Sequence, residues 1–211
     1  MKKHILDGLI VITAIGLLFC LGSIGLYYFR GFQYDKTMDA LMKKIQGGIA
    51  TPFTPTPTKA VEVVPEDGGH TTEEVVKEEE HITFSREISA KWKEQYQTLT
   101  SENADCAGFL EIPDTKIAFP VMFREGDPQY YLYRNFQKKS ESRGTPFLDG
   151  ATVLGESKNY IVYGHNMKDG SVFGSLLKYQ DAEYCYDHRY LFFNTATSEG
   201  IYEVFAVCWV P

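Results

Sequence analysis

The first pattern along the chain is an unbroken apolar run. Gly8 to Phe29 holds 22 residues without a charge. At about 1.5 Å of rise per residue, a helix of this length crosses a hydrocarbon core of roughly 30 Å. Lys2 and Lys3 precede the run, and Tyr27 and Tyr28 lie near its far end, where aromatic rings favour a membrane interface. The pattern predicts one transmembrane helix with the N-terminus inside and the remainder outside. A cleaved signal peptide would carry an apolar stretch of only about 7–15 residues and then a small-x-small site. This run is longer, and bulky Phe19 before Cys20 makes a poor lipoprotein cleavage site. Cys20 reads as a small apolar residue in lipid.

The pattern then loosens. Residues 31–46 mix apolar and charged positions and predict a short helix leaving the membrane, ended by Gly47 and Gly48. Pro52, Pro55, Pro57 and Pro65 remove backbone donors, and the acidic run Glu78–Glu80 repels itself. The chain therefore divides into a cytoplasmic tip and anchor (1–30), an extracellular Pro/Thr/Glu-rich stalk (31–83) and a folded body (84–211). The stalk is expected to hold the body away from the bilayer.

From Phe84 the texture changes again. Ile88, Trp92, Tyr96 and Leu99 fall at helical spacing, and Ser85 with Glu87 suggests the helix start. Short apolar runs follow at 108–112, 116–123, 145–150, 159–165, 190–195 and 201–210, separated by turn residues. One helical insert is expected at 173–179. Six strands and few helices predict a mainly β body, a barrel or sandwich rather than a βαβ fold.

Composition narrows the function. The 211 residues, 44% of them hydrophobic, suffice for one ordinary domain plus extras. The net charge is −7. The body carries 13 bases against 17 acids, so it has no field to gather phosphates, and a general nucleic-acid binder is excluded. The cysteines stand far apart, at 20, 106, 185 and 208, which excludes a zinc ribbon or a CxxC redox site. No histidine pair has helix-face metal spacing, so neither a metal nor a cofactor is expected. His165 ends a predicted strand, a place where catalytic groups often sit, although such a histidine alone is more often a structural hydrogen bonder. His188 has no flanking signature. His4, His70 and His81 lie in the tip or the stalk.

Four stretches carry a resemblance: NADCAGFLEIPDTKIAFPVMF (103–123), DPQYYLYRNF (127–136), RGTPFLD (143–149) and YGHNMKDGSVFGSLLKY (163–179). In this order, within Asn103 to Phe205, they resemble the class B sortases, membrane-anchored cysteine transpeptidases of Gram-positive bacteria. The first stretch matches at Gly108, Ile112, Thr115, Ile117, Pro120 and Val121, and the second has the family's Tyr-Leu pair at Tyr131 and Leu132.

The resemblance implies a sortase-like β-barrel with His165 as the catalytic acid/base, and Leu132 and Tyr163 as substrate-binding residues. It implies secreted proteins with a sorting signal and a cell-wall peptide amine as partners. The family's nucleophilic cysteine and oxyanion arginine follow the histidine after a long segment, in a TLxTC-like context that these 211 residues do not contain. Cys208 reads as a buried core thiol, and Cys106 and Cys185 as structural. Arg143 and Arg189 match no family position and stay unassigned. The chain is thus expected to be a truncated sortase, inactive by itself; the alternative is a non-catalytic remnant that at most binds peptides.

Overall fold

A computed structural model describes residues 2–45 and 88–209. Helix α1 spans Lys2–Lys44, 43 residues without a break. The apolar run and the expected short helix after it are one rod, on the order of 65 Å long. It is the one helix among the described residues that is long and apolar enough to cross a membrane. The proline-rich and acidic part of the stalk, with the expected helix start at Ser85 and Glu87, lies outside the described residues.

Helix α2 spans Ala90–Glu102, later than the sequence suggests. Its N-cap is Ser89, whose hydroxyl accepts from the Trp92 amide at 3.1 Å. The helical spacing holds for the core contacts: Trp92 and Leu99 are buried, and Trp92 Nε1 donates to the Thr195 carbonyl at 2.7 Å.

Six strands follow, one for each predicted run: β1 (Cys106–Glu111), β2 (Ala118–Met122), β3 (Phe147–Leu148), β4 (Val162–Tyr163), β5 (Tyr190–Thr195) and β6 (Glu199–Glu203). They form one sheet in the order β4-β3-β2-β1-β5-β6, antiparallel except for β2 with β3. The sheet is a curled half-barrel, as the expected fold class requires. The insert after β4 is a 3-10 helix, Gly174–Gln180, followed by α3 (Ala182–Asp187).

Alternation along the strands sorts side chains onto two faces. Phe109, Met122 and Phe192 face α1 and α2, where they meet Leu41, Ile45, Trp92 and Leu99. Leu110, Phe119, Val121 and Phe193 face the other way and pack with Leu148, Val172, Tyr179 and, from α1, Tyr34. A register shift between Cys106 and Gly108 puts Cys106 on the same face as Phe109, three positions on.

The end of β6 departs from expectation. The predicted strand runs to residue 210, yet regular pairing stops at Tyr190↔Glu203, where β5 begins. Val204 keeps one bond, its amide to the Arg189 carbonyl at 2.8 Å. Beyond it, no strand among the described residues pairs with the alternating positions. Cys208 is exposed rather than buried, and Phe205 and Trp209 are 100% and 71% exposed.

Candidate functional site

The site is built from the end of β4 and two loops packed against it. His165 lies two residues beyond β4. Its Nε2 is 2.8 Å from the Leu132 carbonyl oxygen. A carbonyl can only accept, so Nε2 is the donor in this contact and Nδ1 lies outside it. The imidazole also lies against the Tyr133 ring, with centroids 5.4 Å apart.

Leu132 is held from below. It belongs to the 3-10 turn Tyr130–Tyr133. The neighbouring Tyr131 is fully buried; its hydroxyl donates to Asp105 Oδ2 at 2.7 Å and accepts from Asn103 Nδ2 at 2.8 Å. Gly144 closes the arrangement. Its φ of +61° is left-handed, and a Cβ there would collide with the carbonyls of Tyr131 and Leu132. Only glycine combines that backbone conformation with that approach. The amide of Thr145 then donates to the Tyr131 carbonyl at 3.0 Å.

The loop after His165 folds back on it. The Phe173 amide donates to the His165 carbonyl at 3.1 Å, and Asn166 bridges to Val172. Val172 is buried with φ of +50°, an outlier for a β-branched residue. Such a conformation costs on the order of 1–3 kcal/mol, offset here by burial in the core.

Asp169 organises the tip of this loop. Its carboxylate accepts from the Ser171 hydroxyl at 2.6 Å and the Ser171 amide at 3.0 Å, and pairs with Arg143 Nη2 at 2.6 Å. Desolvation would raise its pKa; the Ser171 bonds and then Arg143 outweigh that and bring it down to about 2.

The other predicted residues are distributed as follows. Tyr163, on β4, stacks near Phe147 at 5.6 Å, and its hydroxyl donates to Asp149 Oδ2 at 3.2 Å. It is exposed, while its strand neighbour Val162 lines an apolar groove of about 350 Å³ that reaches across to Leu191, Phe193 and Tyr202. Leu132 meets the histidine through its backbone carbonyl, and its side chain packs against the core around Tyr131 and Phe136. Arg143 is buried in its pair with Asp169, and Arg189 pairs with Glu203 at 3.5 Å. His188 stacks on Tyr184 at 4.0 Å, with Nδ1 2.9 Å from that residue's carbonyl. Cys106 is buried in β1, where desolvation pushes its thiol up to about 12. Cys185 sits half-buried on α3 and Cys20 is exposed on the apolar part of α1.

No pattern in the sequence marks Gly144, Tyr133 or the Arg143–Asp169 pair as parts of a site. The RGT tripeptide and the Asp169-Gly170 turn signal were the available hints. Among the described residues no group of three or more His, Cys, Asp or Glu could hold a metal ion.

Comparison with known proteins agrees with this architecture. No family model matches the chain. Sortase B of Listeria monocytogenes is 34% identical over 121 residues, 57% of this chain and 49% of that protein. The crystal structure of sortase B from Bacillus anthracis superposes with a TM-score of 0.50 at 33% identity, covering 56% of this chain and 58% of the other. A mutant form of Clostridium perfringens sortase B gives a TM-score of 0.51 at 26% identity, covering 55% of each. The chain spans about half the length of the curated relatives it matches, 49% and 46%. In sequence and in fold alike, this chain is similar to sortase B proteins over a little more than half of its length.

Proposed function

We propose that this chain carries the histidine half of a class B sortase-type cysteine transpeptidase, tethered at the outer face of a membrane by α1. In that reaction a thiolate attacks the threonine carbonyl of a sorting signal. The peptide bond breaks, an amine leaves with a proton, and a thioacyl-enzyme forms. An amine of the cell-wall peptide then attacks the thioester, gives up a proton and releases the thiolate. His165 supplies the first proton and accepts the second, through Nδ1, while Nε2 stays on the Leu132 carbonyl. Tyr163 stands on the same strand end as a substrate contact.

The observation that supports this reading best is the fixed pose of His165, gripped by Leu132 on one side and by the folded-back 166–173 loop on the other. None of the four cysteines is proposed as the nucleophile. Cys106 is buried as a neutral thiol, Cys20 belongs to the membrane run, Cys185 is on α3, and Cys208 lies on the segment beyond β6. Arg143 and Arg189 are engaged by Asp169 and Glu203, so neither is proposed for the oxyanion.

The test is binding of a sorting-signal peptide to isotope-labelled full chain, followed by NMR. The reading expects resonances of His165, Leu132 and Tyr163 to move together. Shifts confined to other surfaces, or shifts unchanged by His165→Ala, would contradict it.

A further inference from the structure

The burial pattern of α1 changes abruptly along its length. Residues 10–30 are exposed on every side, among them Ile12, Leu18, Phe19 and Phe29 at 58–76%. From Gly31 onward one face is covered. Gly31, Tyr34, Leu41 and Ile45 are buried, and Met38 packs against the same cores. With Tyr27, these positions form the series 27, 31, 34, 38, 41, 45, alternating steps of four and three, which is one helix stripe.

The body docks on that stripe. Lys44 Nζ pairs with Glu102 Oε1 at 2.7 Å, and Gln95 Nε2 donates to the Ile45 carbonyl. At the other end, the Tyr27 hydroxyl donates to Asp169 at 3.3 Å, and the Arg143 guanidinium lies against Gly31 and the Tyr34 ring. The segment 46–87 therefore joins two points that are both fixed to one body. The docked end of α1 is thus a direct helical link between body and bilayer.

A span of roughly 30 Å needs about 20 residues of helix. Counted from Gly8, that brings the outer edge of the hydrocarbon to Tyr27, the residue bonded to Asp169. We propose that the body sits directly on the outer surface of the lipid bilayer, with the loop Met167–Ser171 that follows His165 at headgroup level. Lys168 is exposed in this loop and shares a cleft with Tyr27 and Tyr28. Its ammonium group and the interfacial tyrosines suit phospholipid headgroups. This inference rests on the reading of α1 as a membrane anchor.

The test uses the full chain in phosphatidylcholine vesicles containing a lipid with a nitroxide on its headgroup. Cys20, Cys185 and Cys208 are replaced by Ser, and Lys168→Cys receives a fluorescent label. The chain should float with the vesicles, and nitroxide lipid should quench the label severalfold. Leu41→Asp with Ile45→Asp, which undocks α1, should abolish the quenching while the chain still floats. A floating chain whose label is unquenched overturns the proposal and leaves the anchor reading intact. A chain that does not float overturns both. Quenching that survives undocking also overturns the proposal, because contact would then not depend on α1. Where the double variant fails to fold, the parental label alone decides.

Discussion

The Nε2 of His165 lies 2.8 Å from the carbonyl oxygen of Leu132, and Gly144 permits that approach by keeping its own α-carbon bare against the same carbonyl. Gly144→Ala would add a Cβ to a left-handed residue in contact with two backbone oxygens. The variant should lose about 1–3 kcal/mol of stability. It should also shift the ring resonances of His165. An unchanged melting curve with unmoved His165 resonances would show that the loop does not hold the histidine.

The Arg143–Asp169 pair should contribute measurably. Removing the acid strands a buried guanidinium, which in fully buried pairs costs about 3–5 kcal/mol. Asp169 is 32% exposed, so Asp169→Asn should cost about 3 kcal/mol, the low end. The sign with pH follows from the depressed carboxyl. The stabilisation is complete above the ordinary carboxylate range near 4 and is lost as pH falls through about 2. The gap in denaturant midpoint between parent and variant should therefore narrow between pH 4 and pH 2. A gap that is constant, or absent at pH 7, would contradict the pairing.

Thiol reactivity should divide by burial. Cys106, buried and with its thiol pushed up to about 12, should resist iodoacetamide at pH 8 until the protein unfolds. Cys208 is exposed and should be alkylated in the native state. Mass spectrometry of the digested protein reads both. Labelling of Cys106 at the rate of Cys208 would contradict the core assignment.

The two tryptophans report on the segment after β6. Trp92 is 1% exposed and Trp209 is 71% exposed. Trp209→Phe should remove the iodide-quenchable fluorescence and leave a blue-shifted emission from Trp92. Emission from Trp209 that iodide cannot reach would restore the buried-strand expectation.

The strands were legible because runs such as 190–195 combine aromatic residues with turn signals on either side. What alternation could not show is whether a partner exists. Val204 to Trp209 alternate as well as β5 does, but β5 starts at Tyr190 and pairs no further than Glu203. Helix α2 is capped by Ser89, whose hydroxyl accepts from the Trp92 amide; the sequence offers serine at both 85 and 89, and nothing in the local pattern chooses between them. His165 stood out through its flanking residues. Leu132 meets it through a carbonyl, a group every residue carries, so no side-chain pattern could announce that contact. Arg143 and Asp169 are 26 positions apart and are brought together only by the fold. The stripe on α1 follows directly on a run that is apolar on every side, so its one-sided pattern is short and weak against that background.

Cleavage of a fluorogenic sorting-signal peptide tests the central claim most directly. Two proteins are compared: the 211-residue chain, and a chimera in which the part of Listeria monocytogenes sortase B that follows its region of similarity to this chain replaces residues from Val204 onward. The account predicts no turnover by the chain alone, turnover by the chimera, and loss of at least 100-fold from the chimera on His165→Ala, in line with the roughly 10²–10⁴-fold typical of a general acid–base group. Turnover by the chain alone that needs His165, or chimera activity that survives His165→Ala, would contradict it.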